Sequence, residues 1–553
     1  MPTLEFKGKQ IIYAHHLTVP VRALDAHPAK SFPPQKSPPE LDGNLIIHGD
    51  NLHALKALLP RYAGRVHCIY IDPPYNTGNE KWIYNDNVGS PMMQEWLKDK
   101  SSVDGEDLQR HEKWLCMMWP RLQLLRELLA EDGAIFVSID DNEQHRLRMV
   151  MDEIFGFENF IANIIWQKKY SPANDAKHFS DNHDFVVCYA KNRATGKNKN
   201  ADVWKRRLLP RTEKQDKVYK HDDKDGRGRW RTGDLSVKSY MAEYDYPIVN
   251  PKTGKEHHPP QGTCWRTSKE KMQVWLQENR IFFGRNGKGA PQLKRYLREV
   301  QAGLVPLTIW TYDEVGHTDS ARKSLKEVFH DQQLPFDNPK AVGLLERIFM
   351  VAADKDALIL DSFAGSATTA HAVLALNKSD GGNRKFILVE CENYADKITA
   401  ERVRRVIKGV STAKDPALKA GLGGRFTYCT LGEEINAEKM LTGENLPDYE
   451  TLARHLVWLN TGDSPKNITQ RKDGFFYETN SRLYHLIYEP NLEFLRSADS
   501  ALDGDRADRI AKKVAEKGKP AVVFAAAKYV GQKELTKMNI TFAALPFAVE
   551  GVV

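Results

Sequence analysis

The run Val66-His67-Cys68-Ile69-Tyr70-Ile71, and the stop that follows it, constrain the fold more than any other stretch. Branched and aromatic residues without a formal charge read as a strand buried on both faces of a parallel sheet. Asp72-Pro73-Pro74 ends the run at once, because neither proline can donate to a sheet ladder. A carboxylate, a stiff turn and the ring of Tyr75 therefore stand at the carboxyl end of a strand. In doubly wound α/β sheets, ligands bind at that edge.

The surrounding chain repeats the unit. Asn44–His48 is a strand ending in Gly49-Asp50-Asn51, and Leu52, Leu55, Leu58 and Leu59 then mark one face of a helix capped by Asp50 or Asn51. Trp114, Leu115, Met118, Leu122, Leu125 and Leu129 recur at helical spacing. Gly133 breaks that helix, and Ala134–Ile139 is another buried strand. Asp140-Asp141-Asn142-Glu143 opens a helix through Phe155, where acids suit the positive end of the macrodipole. Residues 82–87 are either a lid or a surface loop. Three strand–helix units predict a parallel sheet with helices on its faces.

Past Asn159 the character changes. Phe160–Trp166 and Phe185–Lys191 read as strands, and residues 192–305 are basic, aromatic and poor in long apolar periods. Residues 161–300 hold 30 Lys and Arg against 16 Asp and Glu, an excess of 14 in a chain whose total is +7. Trp204-Lys205-Arg206-Arg207, Arg229-Trp230-Arg231 and Cys264-Trp265-Arg266 interleave cations with rings, a pattern suited to phosphate contact and base stacking. A solvated insertion would carry the same charge. The Gly-rich stretch 281–291 lacks the Gly-Lys-Ser/Thr ending of a phosphate-binding loop.

The α/β rhythm then returns. Ala357–Leu360 is a strand running into Asp361-Ser362-Phe363-Ala364-Gly365-Ser366-Ala367-Thr368-Thr369, and a helix begins at Ala370. Strand, tight small-residue turn and helix N-terminus make a cofactor cradle, since small side chains let the backbone approach a ligand. The next strand, Phe386–Val389, ends in Glu390, an acid placed to grip ribose hydroxyls.

Asp72, Pro73, Pro74 and Tyr75 suit one chemistry, methylation of an exocyclic amine on a base. Asp72 and the Pro73 carbonyl can each accept one N–H, which localises the nitrogen lone pair as charge develops. Tyr75 offers a face to a base extruded from the duplex. Asp-Pro-Pro-Tyr resembles the catalytic motif of DNA amino-methyltransferases. The longer form, Asp72 to Gly78, resembles that of the modification subunits of type III restriction–modification systems, which methylate adenine N6. Asp361 to Thr369 resembles the S-adenosylmethionine motif of the same enzymes, with Ser362 in place of Pro and Ala367 in place of a Gly. A positive φ at residue 367 would strain an alanine. Asn338-Pro339-Lys340-Ala341 is similar to the preceding motif, and Trp310–His317 is also typical of the type III-like group.

The resemblance covers about residues 40–400 and implies a circularly permuted, β-class order, in which Asp72 precedes Asp361 by 289 residues. Both motifs must then meet at one edge of a Rossmann-like sheet. It implies Asp361, Phe363, Ala364, Gly365, Ser366, Thr368, Glu390, Asp50 and Lys340 as contacts of S-adenosylmethionine. It also implies double-stranded DNA as substrate, a homodimer, and a helicase–nuclease restriction subunit as partner. The motif does not separate adenine N6 from cytosine N4, and a DNA-binding scaffold with a decayed site is the alternative of another class.

At 553 residues the chain exceeds one core. The reading divides it into an N-terminal arm (1–40), a catalytic half (41–160), a target-recognition domain (161–305), a cofactor half (306–430) and a small C-terminal α/β module (431–553). Six scattered cysteines without a Cys-x-x-Cys argue against zinc and disulfides and fit a cytoplasmic setting. No apolar run approaches the length of a membrane span.

Overall fold

The computed structural model describes residues 3–34, 41–77, 109–194, 203–211, 213–300, 303–463, 465, 468, 470–471 and 473–549. Gly78 and the loop at 82–87 lie outside them. The chain forms two compact units, one of residues 1–206 with 307–553, the other of residues 207–306.

The larger unit is built on a ten-stranded sheet among the described residues. Its strands are β1 (Leu24–Ala26), β2 (Leu45–His48), β3 (Val66–Ile71), β4 (Leu129–Ile139), β5 (Phe160–Gln167), β6 (His183–Ala190), β7 (Ile309–Trp310), β8 (Leu358–Asp361), β9 (Lys385–Glu390) and β10 (Thr427–Leu431). Their spatial order is β1-β10-β2-β9-β8-β3-β4-β6-β5-β7. From β10 to β4 every neighbour is parallel, while β6 is antiparallel to both β4 and β5. The two halves of the chain interleave at the centre, where Ile359 and Leu360 of β8 pair with Cys68 and Ile69 of β3.

Alternation along the central strands feeds two cores. Leu45, Ile47, Ile69, Ile71, Ile135, Val137, Leu360 and Ile387 belong to one. Their neighbours Ile46, Cys68, Tyr70, Phe136, Ile359 and Phe386 belong to the other. Strand side chains point to opposite faces, so a sheet covered on both sides needs apolar residues at every position. The first face carries α1 (Asn51–Tyr62), α2 (Arg110–Leu128) and α3 (Gln144–Phe155). The second carries α4 (Val342–Ala352), α5 (Thr368–Asp380) and α6 (Glu401–Lys408). Gly133 lies inside β4 rather than before it, at a register shift against β3. A Cβ there would stand 2.9 Å from the Val66 carbonyl, so the strand passes only with glycine at this place.

Two findings differ from the sequence reading. Phe160–Gln167 and His183–Ala190, assigned to the recognition segment, are strands of the main sheet. Val186, Val187, Cys188 and Tyr189 are buried in its two cores, and the separate unit begins only at Arg207. The C-terminal stretch shares the larger unit. It has its own sheet, β11 (Phe475–Glu478), β12 (Leu483–Leu486), β13 (Ala521–Ala525) and β14 (Ile540–Ala544), in sequence order. Its helix α7 (Tyr449–Thr461) buries Trp458 in the first core, where the indole N–H donates to the Ala57 carbonyl at 3.0 Å.

The smaller unit holds a four-stranded sheet and a compact core of Leu235, Tyr246, Ile248, Trp265, Met272, Ile281 and Phe283. Two rings read from sequence as stacking surfaces, Trp230 and Trp265, are at most 3% exposed here, and Tyr296 is buried beside them. Arg227 and Arg280 lie over Tyr296, and Lys294 over Trp230, so much of the cation–ring interleaving is internal. No helix among the described residues is long and apolar enough to cross a membrane.

Candidate active site

β3 delivers Asp72 to the carboxyl edge of the sheet, and the turn after it is held from three sides. The Trp114 indole N–H donates to the Pro74 carbonyl at 2.7 Å. Asn76 adopts a left-handed φ of 59°, which Asn tolerates better than most residues with a Cβ. Its side-chain amide donates to Glu143 Oε1 at 2.5 Å and to the Arg110 carbonyl at 3.2 Å. Glu143, read from sequence only as part of a helix opening, is fully buried and clamps this turn.

Lys340 Nζ donates to Asp72 Oδ2 at 2.5 Å and stands 5.0 Å from the centre of the Tyr75 ring. Asp72 Oδ1 is buried and receives no hydrogen bond among the described residues. Burial, and then the charge of Asp72, hold the Tyr75 phenol well above its usual pKa, so the ring stays neutral.

β8 delivers Asp361 next to this turn. Asp361 accepts from the Phe363 amide at 3.0 Å and from the Thr369 hydroxyl at 2.5 Å. Glu390, at the end of β9, accepts from the Gly365 amide at 2.7 Å and from the Glu392 amide at 3.0 Å. Both acids therefore brace the loop they were expected to serve. Gly365 takes φ 49°, and a Cβ on it would stand 3.1 Å from the Phe336 ring. Beneath the loop lies Arg402, 1% exposed. It donates to the Ser366 carbonyl at 3.1 Å, the Ser366 hydroxyl at 3.0 Å and the Thr368 hydroxyl at 2.9 Å. Burial lowers its pKa to about 9.

The two loops line one cleft of about 420 Å³, within the size range of small-molecule sites. Asp72, Pro73, Pro74, Lys340, Asp361, Phe363, Ala364, Gly365, Ser366, Thr368 and Glu390 all border it. Asp50 does not: it caps α1 through the Leu52 and His53 amides and faces Arg121 at 3.4 Å. Its neighbour Asn51 borders the cleft instead and donates to the Ser362 carbonyl at 3.0 Å. A second cavity of about 790 Å³ shares Asp72, Pro73, Phe336, Lys340 and Tyr394 with the first, and adds Tyr75, Trp166, Lys168 and Asp184.

Sequence reading missed that second wall. The strand-edge rule contained the signal: β5 runs parallel to β4, so its end at Trp166–Gln167 lies at the same edge as Asp72, and β6 begins there because it is antiparallel. Lys168 donates to Asp181 at 2.9 Å and to Asp184 at 2.7 Å. Burial alone would push the Lys168 ammonium down, and the two carboxylates outweigh it and hold it above its usual value. Arg402 carried no such signal, since an arginine in an amphipathic helix reads as surface charge.

Fold and paired loops define the class: a Rossmann-like methyltransferase sheet in circularly permuted order. A family model described as DNA methylase matches residues 66–401. The chain is 35% identical to the type III restriction-modification enzyme StyLTI Mod subunit of Salmonella typhimurium, over 75% of this chain and 63% of that protein. It is 34% identical to the EcoP15I Mod subunit of Escherichia coli over 63% of this chain and 58% of that protein. It is 31% identical to the EcoPI Mod subunit of Escherichia phage P1 over 74% and 69%. The chain spans about six-tenths of the length of the first two. It belongs to the DNA methylase family.

Proposed function

We propose that this chain transfers a methyl group from S-adenosylmethionine to adenine N6 in duplex DNA, as the modification subunit of a type III-like restriction–modification system. The observation that carries the reading is the pair of adjoining cavities with Asp72 in both walls. One has the small-residue loop, buried acids and strand ends of a nucleoside-cofactor site. The other has the neutral Tyr75 ring and the room for a base. Ser362 Oγ and Asp72 Oδ1, buried and without hydrogen-bond partners among the described residues, border the first cavity as a polar ligand would require.

S-adenosylmethionine supplies an activated methyl on its sulfonium, with Phe363 to Thr368 and Glu390 as the residues that would hold it. The remaining work belongs to the chain. Asp72 Oδ1 and the Pro73 carbonyl accept the two amine hydrogens, and Tyr75 stacks on the base. Lys340 holds Asp72 through Oδ2, which leaves Oδ1 free to accept from the amine. Long-range positioning through rigid loops is the main lever. The relatives named as type III restriction-modification Mod subunits support DNA modification alongside a restriction subunit, and the Asp72 to Gly78 motif's resemblance supports adenine as the base. A homodimer remains part of the proposal.

The test is mass spectrometry of nucleosides from duplex DNA incubated with the protein and S-adenosylmethionine. N6-methyldeoxyadenosine is the expected product. N4-methyldeoxycytidine, or no methylated nucleoside, contradicts the proposal.

A further inference from the structure

The loop joining β5 to β6 leaves Phe179 98% exposed, the barest large apolar side chain among the described residues. Single exposed rings are ordinary on protein surfaces. What distinguishes this one is where its loop is rooted. Lys168 and Lys169 at one end, and Asp184 at the other, border the second cavity.

The neck is closed. The Lys168 and Lys169 amides donate to the Asn182 carbonyl at 2.9 and 3.2 Å, and the Lys168 ammonium ties to Asp181 and Asp184. Higher up, the Ala173 amide donates to the Ser180 hydroxyl at 2.7 Å. Phe179 is three residues from Asn182, so its Cα lies within about 11 Å of the neck. It is thus a bare ring on a braced loop whose two ends border the cavity assigned to the base. Lys177 precedes it in the same loop and Lys169 stands at the loop's root beside the cavity, cations suited to phosphates. Tyr170, 62% exposed, sits across the neck in a ring cluster with Tyr312 and His317 at 5.6 and 5.5 Å.

Extruding a base opens a gap in the duplex stack and sacrifices stacking and pairing. Proteins offset such losses by sliding an apolar side chain between base steps. We propose that Phe179 is that wedge: it enters the duplex where the target base has left, and stacks on the neighbouring bases. The inference rests on the proposed function and adds a positioning residue to it. Phe179 acts on the DNA stack, never on the reacting atoms.

The test uses the full chain and two duplexes carrying the sequence found methylated in mapped DNA, one with the target adenine paired, one with it opposite an abasic site. Phe179→Ala should lower kcat/KM on the paired duplex tenfold or more. Phe179→Leu, still apolar, should lose only a few fold. On the abasic duplex, where extrusion is already easy, Phe179→Ala should come within threefold of wild type. Calorimetry should give all three proteins the same affinity for S-adenosylmethionine. Wild-type rates for Phe179→Ala on the paired duplex overturn the wedge alone, as does a deficit that persists on the abasic duplex. A wild-type protein inactive on both duplexes overturns the reading of the site, and the wedge with it.

Discussion

Asp361 is a carboxylate kept from water. Burial pushes its pKa up to about 7, the Thr369 and Phe363 hydrogen bonds pull against that, and the charges of Asp72 and Glu390 add to it. The folded-state pKa lies above the unfolded value of 3.8, so the folded protein binds this proton more tightly. The associated stability is fully present below about pH 4 and is lost as pH rises through 7, on the order of 4 kcal/mol at most. Asp361→Asn removes the titration while keeping an acceptor for the Phe363 amide. Thermal unfolding from pH 5 to 8 should therefore fall more steeply for the wild type than for the variant, and parallel curves would contradict this. At the same scale, the expectation that the two motifs meet at one sheet edge was legible in the sequence, and Asp72, Lys340, Glu390 and the loop after β8 do border one cleft. Asp50 caps α1, as its place before the helix predicted, and faces Arg121, while the cofactor contact that the resemblance implied for it falls to Asn51 at the cleft.

Loop and helix meet at Ala367, the N-cap of α5, with φ 61° and ψ 39°. The strain expected of an alanine at positive φ is present. Ala367→Gly should relieve it and raise stability by about 0.5–1 kcal/mol. A higher urea midpoint at unchanged slope is the expected result, and a lower one would count against it. Most elements of the larger unit were legible because buried parallel strands and amphipathic helices have strong periods. Lys385–Glu390 and Gln144–Phe155 stand where the sequence put a strand and a helix. What escaped was the allegiance of β5 and β6. Their apolar runs were visible, yet the basic excess around them drew both strands into the neighbouring segment. Charge marks a surface, while strand pairing depends on partners far along the chain, here Ala134–Ile139 for β6.

Over the whole molecule, a sheet that takes strands from both ends of the chain brings two loops 289 residues apart to one cleft. Composition told of a basic middle, and its Arg–aromatic pairs proved largely internal to a compact unit. The C-terminal α/β stretch was read as separate, but α7 buries Trp458 in the core beneath α1, so it is fastened to the catalytic sheet. That fastening, with Arg61 also donating to the Thr461 and Gly462 carbonyls, was invisible to a local reading. The central claim is a division of labour across the shared wall: Asp72 serves the amine, and the loop after β8 serves the cofactor. The most direct measurement pairs calorimetric titration of S-adenosylmethionine with methyl transfer to duplex DNA, for wild type and Asp72→Ala. The account predicts that the variant binds the cofactor within a few fold of wild type and transfers no methyl group. Normal turnover by the variant would contradict it.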